Sequence, residues 1–157
     1  MMDRRGFGAM MLAMVLAAGA ARAQEIFADN GMALRGYDPV AYFTDGQARA
    51  GLADITADWS GVEWRFVSAD NRDTFLAAPE SYAPQYGGFC AWTMAQGHRA
   101  PTNPHAWAVV EGRLYLSSST RVHRRWARDV PGNIAQADAN WSAMGEQRPF
   151  RAPLSDP

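Results

Sequence analysis

Three side chains with soft or borderline metal-binding atoms recur at intervals of four residues. Cys90, Met94 and His98 would share one face of a helix that continued through all three positions. A thiolate, a thioether and an imidazole together suit Cu(I), and His105, in a predicted loop, could join His98. The spacing predicts a copper site formed by Cys90, Met94, His98 and His105. The alternative is that Cys90 and Met94 are ordinary core residues and that each histidine is a surface or hydrogen-bonded residue.

Cys90 is also a candidate nucleophile. It follows two glycines at a predicted helix N-terminus, where unpaired amide groups favour the thiolate. A thiol-dependent enzyme is therefore a further hypothesis, and it predicts rapid alkylation of Cys90 at neutral pH. No second cysteine is present to resolve an oxidised form, and local spacing identifies no acid–histidine partner.

A second candidate site consists of four residues that could line a cleft for a small ligand or a partner protein. Tyr37 and Asp38 precede a predicted short helix, and Gly87 and Gly88 form a predicted flexible joint. The alternative for the first pair is a turn followed by a helix N-cap at Asp38. These residues would serve a metal-free binding module.

Composition and charge limit the function further. The chain has 157 residues, with 15 basic and 16 acidic side chains and a formal net charge of -1, so it has no bulk attraction for nucleic acid. It carries no Gly-rich phosphate loop, His-Glu-x-x-His element or Gly-x-Ser-x-Gly turn. Four arginines and His123 lie on one predicted helix, where the arginines form either a solvated face or a site for an anionic partner. They are Arg121, Arg124, Arg125 and Arg128.

The first 23 residues are typical of an export signal. Arg4 and Arg5 with Phe7 precede an apolar run over residues 9–18, and Ala21-Arg22-Ala23 provides small residues for cleavage. We expect a twin-arginine-type signal peptide over residues 1–23, cleavage after Ala23 and a periplasmic protein. An ordinary secretory signal with two arginines is the alternative. No later stretch is long enough to span a membrane.

The remaining chain predicts one small α+β domain over residues 24–143, with two β-hairpins and several short helices, and a loose tail over residues 144–157. Asp38 can cap a helix that ends at Phe43, and Ser68 can cap a second one. Gly97 is a natural terminator of a helix over residues 89–96. The expected strands cover residues 32–35, 52–59, 62–67, 107–110 and 113–116, residues 102–104 are an expected loop, and two amphipathic helices close the domain.

Several segments together resemble the YHS-domain family, in particular its small exported members. They are Gly36-Tyr37-Asp38-Pro39-Val40-Ala41-Tyr42-Phe43, Trp64-Arg65-Phe66 leading into Ser68-Ala69-Asp70-Asn71-Arg72 and Phe75, Pro79-Glu80-Ser81-Tyr82, Tyr86-Gly87-Gly88-Phe89-Cys90-Ala91, and Gly112-Arg113-Leu114-Tyr115-Leu116 followed by Trp126 and Trp141. The resemblance implies a hairpin followed by a helix, and an association with heavy-metal handling. Metal-binding relatives carry cysteines near Val67 and Asn71, and this chain has neither.

The leading expectation is thus a non-catalytic periplasmic protein that binds or handles a metal ion, copper by its ligand set. A metal-free module of the same fold that binds a small ligand or a periplasmic protein is the first alternative. A thiol enzyme that uses Cys90 is the second.

Overall fold

The computed structural model describes residues 25–145. The predicted export signal over residues 1–23 lies outside these residues. The predicted tail over residues 144–157 also lies outside them, apart from Met144, which ends the last helix, and Gly145, which follows it.

The first sheet is built around the hairpin that the sequence predicts. It contains β1 (Ala28–Asp29), β2 (Met32–Ala33), β3 (Leu52–Trp59) and β4 (Val62–Phe66) in the order β1-β2-β4-β3. β3 and β4 are antiparallel, whereas β2 and β4 are parallel. The turn residues Ser60 and Gly61 have φ of 54° and 80°, as a tight hairpin turn requires. Alternation along β4 buries Trp64 and Phe66 completely.

The second sheet is the other predicted hairpin, and it begins earlier than expected. β5 (Asn103–Val110) pairs antiparallel with β6 (Arg113–Ser117). The expected loop at residues 102–104 is wrong beyond Thr102, because Asn103 pairs with Ser117 across an irregular register. Pro104 is compatible with this strand, since a two-stranded sheet leaves one edge of β5 unpaired.

Helices connect and cover the two sheets. Ser68 Oγ accepts a hydrogen bond from Asn71 N at 3.1 Å, which confirms the predicted cap. Leu34 and Arg35 are not part of a strand as expected, because they have φ of 53° and 52° and turn the chain into a 3₁₀ helix. The 3₁₀ helices are Leu34–Gly36 and Gln85–Gly88, and the α-helices are α1 (Ala41–Thr44), α2 (Ala69–Ala77), α3 (Pro79–Tyr82), α4 (Ala91–Ala95), α5 (Thr120–Trp126) and α6 (Val130–Met144).

Two aromatic-rich clusters form the interior of this α+β domain. One centres on Trp64, Phe66 and Phe75 beneath the first sheet. The other contains Met94 and Trp126 and lies among α4, α5, α6 and the second sheet. Among residues 25–145, no helix combines the length and the apolar character needed to cross a membrane.

Candidate functional site

The single thiol lies in the interior. Cys90 is the residue before α4, and its side chain is fully buried. Its Sγ accepts hydrogen bonds from the backbone N of Ser118 at 3.3 Å and from Ser118 Oγ at 3.6 Å. The backbone N of Cys90 donates to Ala100 O at 3.0 Å. The hydrogen bonds of Cys90 therefore connect the start of α4 to Ser118, the residue that follows β6.

The four predicted copper ligands are divided between the interior and the surface. The continuous helix that would align Cys90, Met94 and His98 does not form, because α4 ends at Ala95 and Gly97 turns the chain with φ of 87°. Met94 is fully buried in an apolar cluster, whereas His98 and His105 are exposed. Within residues 25–145, no three His, Cys, Asp or Glu side chains are grouped so as to hold a metal ion.

Asp38 is a structural carboxylate rather than part of an open cleft. It is fully buried, and its Oδ1 accepts from Val40 N at 2.8 Å and Ala41 N at 3.4 Å, as expected of a residue that caps the following turn. Its Oδ2 accepts from Val67 N at 2.9 Å and from Asn71 Nδ2 at 2.8 Å. One side chain thus joins the start of α1 to the end of β4 and to α2.

The two glycines form a packed crossing point rather than a flexible joint. Gly87 and Gly88 are buried, with φ of 62° and 85°. A Cβ on Gly87 would lie 1.9 Å from the carbonyl oxygen of Glu25, and Gly87 O accepts from Phe27 N at 2.8 Å. Gly87 is therefore required where the first described residues cross the chain.

Of the second predicted set, Tyr37 lines a concave surface within residues 25–145. This surface, named here the Arg35–Ser118 groove, has a cavity volume of ≈ 580 Å³. Its lining residues are Arg35, Tyr37, Pro101, Thr102, Asn103, Pro104 and Ser118. Of these residues, the sequence analysis predicted only Tyr37. The prolines and the asparagine of segment 101–104 are typical of irregular backbone and could have indicated this wall of the groove.

Hydrogen bonds fix Arg35 at one side of the groove. Its Nε donates to Thr102 O at 2.9 Å, and its Nη1 contacts Asp29 Oδ2 at 2.6 Å. Its guanidinium carbon also lies 5.9 Å from the ring centroid of Phe27. Thr102 Oγ1 in turn donates to Gly88 O at 2.7 Å. The crossing point at the glycines is thus connected to the wall of the groove.

The other side of the groove is aromatic. The hydroxyl of Tyr37 and Nε2 of His105 are 3.1 Å apart, and their rings meet edge to face with centroids 5.3 Å apart. Beneath them, the hydroxyl of Tyr42 donates to Pro104 O at 2.8 Å. Burial raises the pKa of Tyr42 well above its ordinary value of 10.0, so its hydroxyl remains a neutral donor.

Of the hydroxyl and thiol groups at the groove, that of Tyr37 contacts an imidazole, at 3.1 Å from His105 Nε2. Within residues 25–145, neither Ser118 nor Cys90 has a hydrogen bond to a histidine or a carboxylate. The arrangement can hold a ligand of mixed polar and apolar character, and neither Ser118 nor Cys90 has the contact that would activate it as a nucleophile.

Comparison with known proteins gives no relative: no protein-family model, no curated protein and no solved structure matches the chain. The assignment of function therefore depends on the geometry of its own residues.

Proposed function

We propose that this chain is a non-catalytic, periplasmic binding module of the YHS kind, and that the Arg35–Ser118 groove holds a small ligand. The observation that carries the proposal is the position of the one thiol, which is fully buried behind a residue of the groove wall. A buried thiol with hydrogen bonds to Ser118 is a structural element, whereas the groove is an accessible site in the part of the chain that the structure describes.

The dimensions and lining of the groove support a small ligand. Small-molecule sites in proteins have volumes of about 300–1,000 Å³ and combine apolar walls with a few fixed polar groups. Here Pro101, Pro104 and the Tyr37 ring provide apolar surface, while Arg35 and Asn103 provide polar groups beside a volume of ≈ 580 Å³. A ligand of several non-hydrogen atoms fits this space.

Copper binding by Cys90, Met94, His98 and His105 stays a prediction. A shared ion would require Met94 to leave an apolar cluster in which it is fully buried. It would also require Cys90 to exchange its contacts with Ser118 for metal coordination. The groove needs no such rearrangement, so the geometry favours the ligand-binding module.

Export through the predicted signal is part of the proposal. Glu25 pairs with Arg99 at 3.0 Å and Phe27 is buried, so the domain already uses side chains that begin two residues after Ala23. We expect the mature N-terminus at Gln24, determined by mass spectrometry of the exported protein. An N-terminus well beyond Ala28 would contradict the assigned cleavage site.

The binding proposal is tested by nuclear magnetic resonance with a library of small molecules and the ¹⁵N-labelled protein. At least one compound is expected to shift the amide resonances of Arg35, Tyr37 and Ser118. Ser118→Phe, which places a large ring at the groove wall, should remove the shifts, whereas the matched surface variant Ser142→Phe should retain them. Pro101→Trp, at an exposed wall position, provides a second filled groove if Ser118→Phe does not fold.

Two results would overturn the binding proposal. One is a library in which no compound shifts the groove resonances, and the other is a set of shifts that Ser118→Phe and Pro101→Trp leave unchanged.

Anaerobic titration with Cu(I) adds a separate criterion. A stoichiometric Cu(I) complex that is lost in Cys90→Ser would replace the ligand-binding module with a copper site.

A further inference from the structure

Three hydrogen-bond acceptors in the wall of the groove each have a donor. Thr102 O accepts from Arg35 Nε at 2.9 Å, and Pro104 O accepts from the Tyr42 hydroxyl at 2.8 Å. Asn103 Oδ1 accepts from the backbone N of His105 at 2.9 Å. A ligand that mainly donates hydrogen bonds would therefore find these acceptors engaged.

The hydrogen-bond donors of the groove wall are less fully used than the acceptors. An arginine side chain presents donors on Nε, Nη1 and Nη2, and contacts within residues 25–145 engage the first two in Arg35. The side chain of Asn103 uses its oxygen for His105 N, and its Nδ2 has no hydrogen bond within the same residues. Two groove residues thus retain donors, and one of them is a guanidinium that is also ion-paired with Asp29.

The backbone holds Arg35 in an unusual conformation at this site. Leu34 and Arg35 both have φ near 50°, at 53° and 52°, in the left-handed region that non-glycine residues rarely occupy. Such strain persists only where surrounding contacts maintain it, and it clusters at ligand-binding positions. The contacts to Asp29 and Thr102 fix the guanidinium at the groove before any ligand arrives.

We propose that the ligand of the groove carries a carboxylate, which accepts hydrogen bonds from Arg35 Nη2 and Asn103 Nδ2. A carboxylate accepts through two oxygens, one for each of these donors, and its charge is opposite to that of a guanidinium. This inference rests on the proposed function, because it specifies the ligand class of the same groove.

The test uses three probes of similar size and different charge: acetate, acetamide and tetramethylammonium. Side-chain and backbone resonances of the ¹⁵N-labelled protein are followed during each titration at constant ionic strength. Acetate is expected to shift the Arg35 Nε and Asn103 Nδ2 signals with a dissociation constant of about 1–50 mM, as for a very small ligand. The other two probes should shift these signals at least about fivefold less.

Two variants separate recognition from folding. Asn103→Asp keeps an oxygen for His105 N but replaces the donor with a carboxylate oxygen, so it should abolish the acetate shifts. Arg35→Gln removes the cation and should weaken acetate binding at least about fivefold. Arg121→Gln, an exposed arginine on α5, is the control and should bind acetate as the original protein does. Inorganic phosphate is titrated in parallel to distinguish the two oxyanions.

Failure of the inference can be distinguished from failure of the proposed function. Equal or larger shifts with acetamide, tetramethylammonium or phosphate, or acetate shifts that persist in Asn103→Asp and Arg35→Gln, would overturn the carboxylate assignment alone. If library compounds bind the groove but acetate does not, the carboxylate assignment is again wrong while the binding module stands. If neither acetate nor any library compound binds, both are wrong.

Discussion

The sulfur of Cys90 accepts a hydrogen bond from the backbone N of Ser118 at 3.3 Å, and Ser118 lines the groove from the other side. The thiol and the groove thus meet at one residue without the thiol being exposed. A thiol reagent can therefore reach Cys90 only after the fold opens locally.

Cys90 is expected to react slowly with thiol reagents. Because its side chain is fully buried, iodoacetamide at neutral pH should label the native protein at least about 100-fold more slowly than the protein in denaturant. The rates are measured by mass spectrometry at matched pH. Native labelling as fast as that of the denatured chain would favour the thiol enzyme over the binding module.

Asp38→Asn is expected to destabilise the fold substantially. The substitution replaces one carboxylate oxygen with an amide donor that faces other donors, because Oδ1 and Oδ2 both accept hydrogen bonds. A buried group left without its partner costs about 1–3 kcal/mol, so we expect a loss of that size or more in chemical denaturation. Asp54→Asn, at an exposed position on β3, should change stability by less than about 0.5 kcal/mol. Equal effects of the two changes would contradict the structural role of Asp38.

Gly87→Ala is expected to displace the first described residues. Gly87 and Gly112 both have positive φ, at 62° and 73°, but only Gly87 has a backbone oxygen 1.9 Å from the position of a new Cβ. Gly112→Ala should cost about 1 kcal/mol from conformation alone, and Gly87→Ala about 3 kcal/mol or more. Denaturation measures both, and limited proteolysis near Phe27 should accelerate only in Gly87→Ala. Similar costs for the two variants would argue against the close crossing with Glu25.

His123 is expected to make the fold sensitive to mild acid. Its Nδ1 is buried without a hydrogen-bond partner within residues 25–145, and burial lowers the pKa of its ring below the ordinary value of 6.5. As pH falls through 6.5, the unfolded chain therefore takes up a proton that the folded protein resists, and the free energy of unfolding falls. The stabilising contribution is thus present above that pH and lost below it.

A phenylalanine substitution tests this linkage. His123→Phe keeps an aromatic ring near Trp126, whose ring lies 5.5 Å from that of His123, but it cannot take up a proton. Between pH 7.5 and 5.5 the variant should lose less stability than the original protein. An unchanged slope in His123→Phe would show that another group causes the acid sensitivity.

Local signals predicted much of the fold. The two hairpins formed where Ser60-Gly61 and Glu111-Gly112 supply residues with positive φ, and Ser68 capped α2 as expected. Such features depend on a few adjacent residues, so the sequence contains the information. The strand expected over residues 32–35 ends at Ala33, because contacts of Arg35 with Asp29 and Thr102 accompany a left-handed conformation that no local propensity favours.

The site was harder to predict than the fold. Helical spacing correctly placed Met94 one turn after Cys90, but it could not show that both face the interior. The sequence did not predict the groove, because its walls combine Arg35, the segment around Thr102, and Ser118. These residues are distant in sequence and meet only through tertiary packing. Gly97 was the one local signal that His98 would leave the helical face.

The most direct test of the account is to measure the affinity of one groove-binding compound for three forms of the protein: the original chain, Ser118→Phe and Cys90→Ser. We predict that Ser118→Phe abolishes binding, whereas Cys90→Ser binds within about threefold of the original affinity, since the thiol lies behind the wall. Circular dichroism confirms that each form is folded. Loss of binding in folded Cys90→Ser together with unchanged binding in Ser118→Phe would contradict the account.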